Sequence, residues 1–170
     1  MRKILSRGLL ASYLVILIWL VLFKFSHNIS TVLNYHHRSL NLIPFAAPSI
    51  VNGKINYGEM IYNCVFFIPF GLLLNLNFKK VRYLNKLILI IIFSITAESI
   101  QYIFAIGATD ITDVITNTLG GFLGLKLYDF SSTYINNKKF DTIIISVGIL
   151  LLMLFISINT LHIFSQRLSK

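Results

Sequence analysis

Residues 87–106 read LILIIIFSITAESIQYIFAI, an apolar run broken by one ionisable side chain, Glu98. A helix of about 20 apolar residues is what a bilayer core of about 30 Å accepts, since each residue advances about 1.5 Å. Lys86 precedes the run and Asp110 follows it, each twelve positions from Glu98. The acid is therefore predicted near the middle of a membrane-crossing helix, roughly 18 Å from either end. Gln101, three residues on, projects from the same face. A carboxyl and an amide side by side in such a segment must turn toward other helices, because lipid offers them no partner.

The same pattern recurs along the chain. Residues 8–23 are uncharged between Arg7 and Lys24, and residues 60–78 between Glu59 and Lys79, with Pro69 and Gly71 near the centre. Such breakers are tolerated in membrane helices, where neighbouring helices satisfy the freed backbone groups. Residues 142–164 form a further span, preceded by Asp141, whose charge suits the positive end of the helix dipole. Between them, residues 113–128 form the weakest span, with Lys126 snorkelling at its end; a re-entrant segment is the alternative. The start, Arg2, Lys3 and Arg7, resembles a signal peptide, but Lys24-Phe25-Ser26-His27 lacks a small-x-small cleavage pattern, so an uncleaved first span is expected.

The composition agrees. Hydrophobic residues make up 56% of the 170-residue chain and charged residues 12%. That is about half the charge a soluble domain uses to cover its surface. The reading is one all-α domain over residues 1–170, a multi-pass membrane bundle of about five helices with residues 24–59 as an outer loop. The net charge of +9 would suggest nucleic acid on a soluble chain. Here the cations sit in short gaps between apolar runs, so they set topology and meet anionic lipid headgroups; no nucleic-acid partner is expected. With the N-terminus inside and the C-terminus outside, Arg2, Lys3, Arg7, Lys79, Lys80, Arg82, Lys86, Lys138 and Lys139 all fall on the cytoplasmic side. The one cysteine, Cys64, has no disulfide partner and no metal-ligand spacing around it. His36 and His37 are adjacent and read as ordinary loop residues. No metal and no cofactor is expected.

The remaining polar groups form a candidate site. Asp113, Asn117, Gly120 and Gly124 recur at helical spacing, and Gly120 and Gly124 form a GxxxG, a surface for close helix approach. This face is expected to press against the Glu98 and Gln101 edge, since the connection at residues 107–110 is short enough to make the two helices antiparallel neighbours. Asn63 lies four residues inside Glu59, as Asn117 lies four inside Asp113. Asn63, Gln101, Asp113 and Asn117 then converge on an outward-facing pocket with Glu98 at its floor. The plainer alternative is that these amides only stitch helices together.

Three blocks carry a resemblance to the VanZ family. They are Asn41-Leu42-Ile43-Pro44-Phe45; Asn63 followed by Phe67-Ile68-Pro69-Phe70-Gly71; and Glu98-x-x-Gln101 followed by Asp110-Ile111-Thr112-Asp113, Asn117 and Gly120. The resemblance implies a bacterial plasma-membrane protein that lowers susceptibility to teicoplanin, with little effect on vancomycin. It brings no established reaction with it. It also marks one departure: many relatives carry an arginine just before the Asp-Ile-x-Asp element, where this chain has Gly107, and Arg38 is the substitute candidate. The favoured reading is a non-enzymatic protein whose pocket binds a lipid-linked envelope component or the drug, with Asn63, Glu98, Gln101, Asp110, Asp113, Asn117 and Arg38 as ligand-binding candidates. Pro69, Gly71, Gly120 and Gly124 would serve helix packing. The rival is an intramembrane enzyme acting on lipid-linked wall or teichoic-acid precursors, with Glu98 and Asp113 as an acid/base pair. A third class is a structural partner working through helix contacts alone. The sequence leaves the oligomeric state open.

Overall fold

The computed structural model describes residues 2–23, 39–46, 50–51, 54–55 and 57–168. Among them run five helices: α1 (Arg2–Phe23), α2 (Gly58–Asn77), α3 (Tyr83–Phe104), α4 (Ile111–Tyr134) and α5 (Asn137–Leu168). Each apolar run becomes one helix, and most helices overshoot the run because the flanking polar residues also wind. Four of them are long and apolar enough to cross a membrane: α1, α2, α3 and residues Asn137–Leu161 of α5. The fold is an all-α bundle, and these apolar helices mark a membrane protein.

Side-chain contacts establish that the helices alternate in direction. Tyr13 donates to the Phe66 carbonyl (2.7 Å) and Asn77 to that of Ser6 (3.2 Å), so α1 and α2 are antiparallel. Asn117 meets Ser94 while Gly121 faces Ile90, so α3 and α4 are antiparallel too. Arg2 reaches the Lys138 carbonyl at 3.2 Å and Gly148 faces Leu9, which sets α5 parallel to α1. Helix α4 therefore runs the full height of the bundle as one 24-residue helix, about 36 Å, and does not turn back on itself. It falls short of the other four in apolar character because it is an inner helix. Thr112, Asp113, Thr116, Asn117, Gly120, Gly121 and Gly124 are all on its buried side.

The tightest joint corrects one expectation. The Gly120 and Gly124 face meets α2, not the Glu98 and Gln101 edge of α3. A Cβ added at Gly120 would lie 2.0 Å from the Cys64 carbonyl oxygen, one at Gly124 2.1 Å from that of Ile68, and one at Gly71 2.1 Å from that of Gly121. Backbone thus rests on backbone, a gain in dispersion contact that only glycine permits. The neighbouring Gly121 is the one that faces α3, against Ile90. Pro69 lies inside α2 without ending it. At the level of this joint Phe67, Phe70 and Phe93 form a ring cluster with centroids 5.2–6.0 Å apart.

The loop between α1 and α2 contributes short strands that no apolar run announces. Strand β1 (Ser39–Asn41) pairs in parallel with β4 (Ala108–Asp110), Ser39 opposite Ala108 and Asn41 opposite Asp110, while β2 (Ile50–Val51) and β3 (Lys54–Ile55) form a small antiparallel pair. Parallel pairing needs a long crossover, and here two membrane-length helices supply it.

Candidate functional site

The candidate site is built where α3 ends and α4 begins. Helix α3 stops because Ala105 takes the left-handed conformation (φ 53°), its N–H capping the Gln101 and Tyr102 carbonyls. The Ile106 N–H returns to the Gln101 carbonyl at 3.1 Å. A left-handed alanine costs about 1–2 kcal/mol, and these capping bonds offset it. The turn sends β4 back alongside α3 instead of outward. Thr109 donates its hydroxyl to the Glu98 carbonyl (3.2 Å), and the Asp110 N–H donates to Glu98 Oε2 (3.1 Å). Glu98 consequently sits six residues before the end of its helix, roughly 9 Å from it, and not at mid-depth. The distance reckoned from Asp110 is too long because residues 105–110 fold back beside the acid.

Asp110 acts here as a fastener. Its Oδ1 accepts from the Thr112 N–H at 2.7 Å, capping α4, where a negative charge also suits the helix dipole. Its Oδ2 accepts from Asn41 Nδ2 at 3.1 Å, tying the α1–α2 loop to the α4 terminus. Asn41 Oδ1 in turn accepts from the Ile43 N–H (3.2 Å) and starts the turn through Pro44, and the Phe45 N–H donates to Thr112 Oγ1 (3.1 Å). Through these bonds the Asn41-Leu42-Ile43-Pro44-Phe45 block clamps the first turn of α4.

Behind this clamp lies a buried polar cluster. Glu98 and Asp113 each keep 4% of their surface exposed, and Ser94, Gln101 and Asn117 keep none. Asn117 Nδ2 donates to Ser94 Oγ at 2.9 Å, and Gln101 Nε2 donates to the Val21 carbonyl of α1 at 3.0 Å. The other end of each amide, Gln101 Oε1 and Asn117 Oδ1, is buried with no donor among the described residues. A buried acceptor left without a donor costs about 1–3 kcal/mol, and folded proteins keep few of them. The cluster is therefore rich in acceptors and short of donors, suited to a group that brings N–H or O–H.

The predicted residues divide accordingly. Glu98, Gln101, Asp113 and Asn117 are brought to one end of the α3–α4 pair. Asn63 is half-buried on α2 beside Cys64, whose carbonyl faces Gly120, and no hydrogen bond joins it to the cluster among the described residues. Arg38 lies outside the described residues. Sequence reasoning misses Ser94, although it stands four residues before Glu98 and seven before Gln101, on one helix face. Thr112 carries no such signal, because its partner Phe45 is 67 residues away. Among the described residues no group of His, Cys, Asp or Glu is assembled to hold a metal ion.

The comparisons with known proteins cover these same elements. The family described as VanZ/LLP1 matches residues 10–132, from α1 through nearly all of α4. Protein VanZ of Enterococcus faecium is 62% identical over 160 residues, which is 94% of this chain and 96% of that protein. No solved structure matches the chain. With the clamp, the buried cluster and the α2–α4 joint all inside the matched region, the chain belongs to the VanZ/LLP1 family.

Proposed function

We propose that this chain is a multi-pass protein of the bacterial plasma membrane that lowers susceptibility to teicoplanin. It does so by receiving a polar group of an envelope lipid component, or of the drug, in the cluster at the α3–α4 end. Kinship with VanZ supports the resistance reading. One observation carries the site reading: among the described residues no donor reaches the buried acceptors Gln101 Oε1 and Asn117 Oδ1, on the same helix faces as Glu98 and Asp113. A hydroxyl or amide N–H of a ligand supplies what they lack. The N-in orientation puts this end outside the cell, where teicoplanin is held by its acyl chain. The resemblance implies a cation at the position of Gly107, and Arg38 is the candidate to replace it: β1 begins at Ser39, which pairs with Ala108 next to Gly107.

A second reading has its own observation. Two buried carboxylates, Glu98 and Asp113, on neighbouring antiparallel helices suit an enzyme acting on lipid-linked precursors. Membrane lipids compared with and without the protein separate the two, because a changed covalent species favours the enzyme. The test of the site itself is teicoplanin susceptibility of cells holding matched membrane levels of the native and Glu98→Gln proteins. Protection is expected to fall to that of cells lacking the protein; undiminished protection would show that the carboxyl is not used.

A further inference from the structure

The opposite end of the bundle holds a cavity of about 460 Å³ between the start of α1, the α2–α3 turn and the start of α5. Five cations line it, Arg2, Lys3, Arg7, Lys79 and Lys80, against one acid, Asp141. That acid is already engaged at both oxygens: Lys79 Nζ lies 2.6 Å from Oδ2, and the Tyr128 hydroxyl donates to Oδ1 at 2.6 Å. Arg2 is held to the Lys138 carbonyl, which accepts hydrogen bonds but leaves the guanidinium charge uncompensated. No carboxylate pairs with Arg2, Lys3, Arg7 or Lys80 among the described residues. Like charges gathered around one concavity repel, and an anion in that concavity relieves them.

We propose that this cavity holds the phosphate of an anionic phospholipid headgroup, drawn from the leaflet at the basic end of the bundle. The volume falls within the range of small-ligand sites, so a headgroup fits where a solvated surface patch would hold none. The walls favour a lipid over free phosphate. Leu76, Phe78 and Ile145 line the cavity beside the cations, and the apolar lengths of α1, α2 and α5 lead away from it, so acyl chains continue where the headgroup stops. The proposal is independent of the site at the α3–α4 end. It makes the cations a recognition element as well as a topology signal.

The test is native mass spectrometry of the full-length protein in detergent, titrated with phosphatidylglycerol or phosphatidylcholine. Phosphatidylglycerol is expected to bind at least tenfold more tightly. Arg7→Gln with Lys80→Gln should weaken it roughly thirty-fold, taking about 1 kcal/mol for each cation near a membrane surface. Arg7→Lys with Lys80→Arg, which keeps both charges, should retain binding. Lys138→Gln with Lys139→Gln removes the same charge at the same end but outside the cavity, and should change affinity less than threefold. An equal loss in that control pair would overturn the site in favour of diffuse surface attraction. Equal binding of phosphatidylcholine would overturn the phosphate specificity, and inorganic phosphate binding as tightly as the lipid would overturn the lipid assignment.

Discussion

The two ends of the bundle solve the problem of polar groups in opposite ways. At the α3–α4 end the acids Glu98, Asp110 and Asp113 are buried or clamped by backbone and amide donors, and acceptors are left over. At the other end Lys86 is buried against Asn75, whose amide donates to Asp129 (2.7 Å) and to the Leu125 carbonyl (3.1 Å), and the surplus is of cations. Among the described residues, acceptors are left over at one end and cations at the other. The two proposals give the ends ligands of opposite chemistry, a donor group at one and an anion at the other.

The α2–α4 joint lies between the ends, and breaking it should abolish both. Gly120→Leu or Gly71→Leu puts a Cβ 2.0–2.1 Å from a backbone carbonyl oxygen, far inside van der Waals contact, so a loss above about 3 kcal/mol and a collapse in membrane abundance are expected, read by immunoblot. Normal abundance of either variant would mean that α2 and α4 do not touch there. Next come the cluster substitutions, which should separate function from folding. Asn117→Leu removes one orphan acceptor and the bond to Ser94; abundance should hold within about twofold while teicoplanin protection is lost. A third variant pair bears on Arg38. Arg38→Gln should lower protection, and Gly107→Arg in the same chain should restore it, since a Cβ at Gly107 meets the Gln101 side chain at an ordinary 3.6 Å. Failure of the restoration would separate Arg38 from position 107.

Smaller effects probe each end separately. Asp110→Ala removes the α4 cap and should cost about 1 kcal/mol, visible as a lower detergent-melting temperature, whereas Asp110→Asn keeps the cap and loses only the bond from Asn41. At the basic end, Lys79→Gln should cost less than about 1 kcal/mol and leave protection unchanged, because its ion pair with Asp141 is 43% exposed on the lysine side. Loss of teicoplanin protection in Lys79→Gln would show that the two ends are coupled.

The helices were legible because lipid imposes a single length and a single polarity on anything that crosses it, so 87–106 or 60–78 could hardly be read otherwise. The site was legible in part for the same reason: Glu98, Gln101 and Asn117 are conspicuous in apolar surroundings. The partner of Gly120 and Gly124 was not, since a face without side chains matches any close backbone, and nothing in GxxxG says whether that backbone is α2 or α3. The depth of Glu98 is misread because a left-handed alanine at 105 leaves no mark in an apolar sequence. The β1–β4 pair was illegible altogether, being three residues long and joined across 69 residues of sequence.

That pair also bears on how the protein comes into being. Asn41 leaves the ribosome 69 residues ahead of Asp110, which is roughly 3–14 s of synthesis at about 5–20 residues per second. For that interval the strand has no partner, and the glycine-scale groove of α2 has no α4 to fill it. A chain stopped after Phe104 would own three helices suited to the bilayer and neither of the contacts that lock them. Completion of α4 is thus the moment at which the first half of the molecule acquires its shape, and a membrane protease that samples loose helices would tell an unfinished chain from a finished one by that single event.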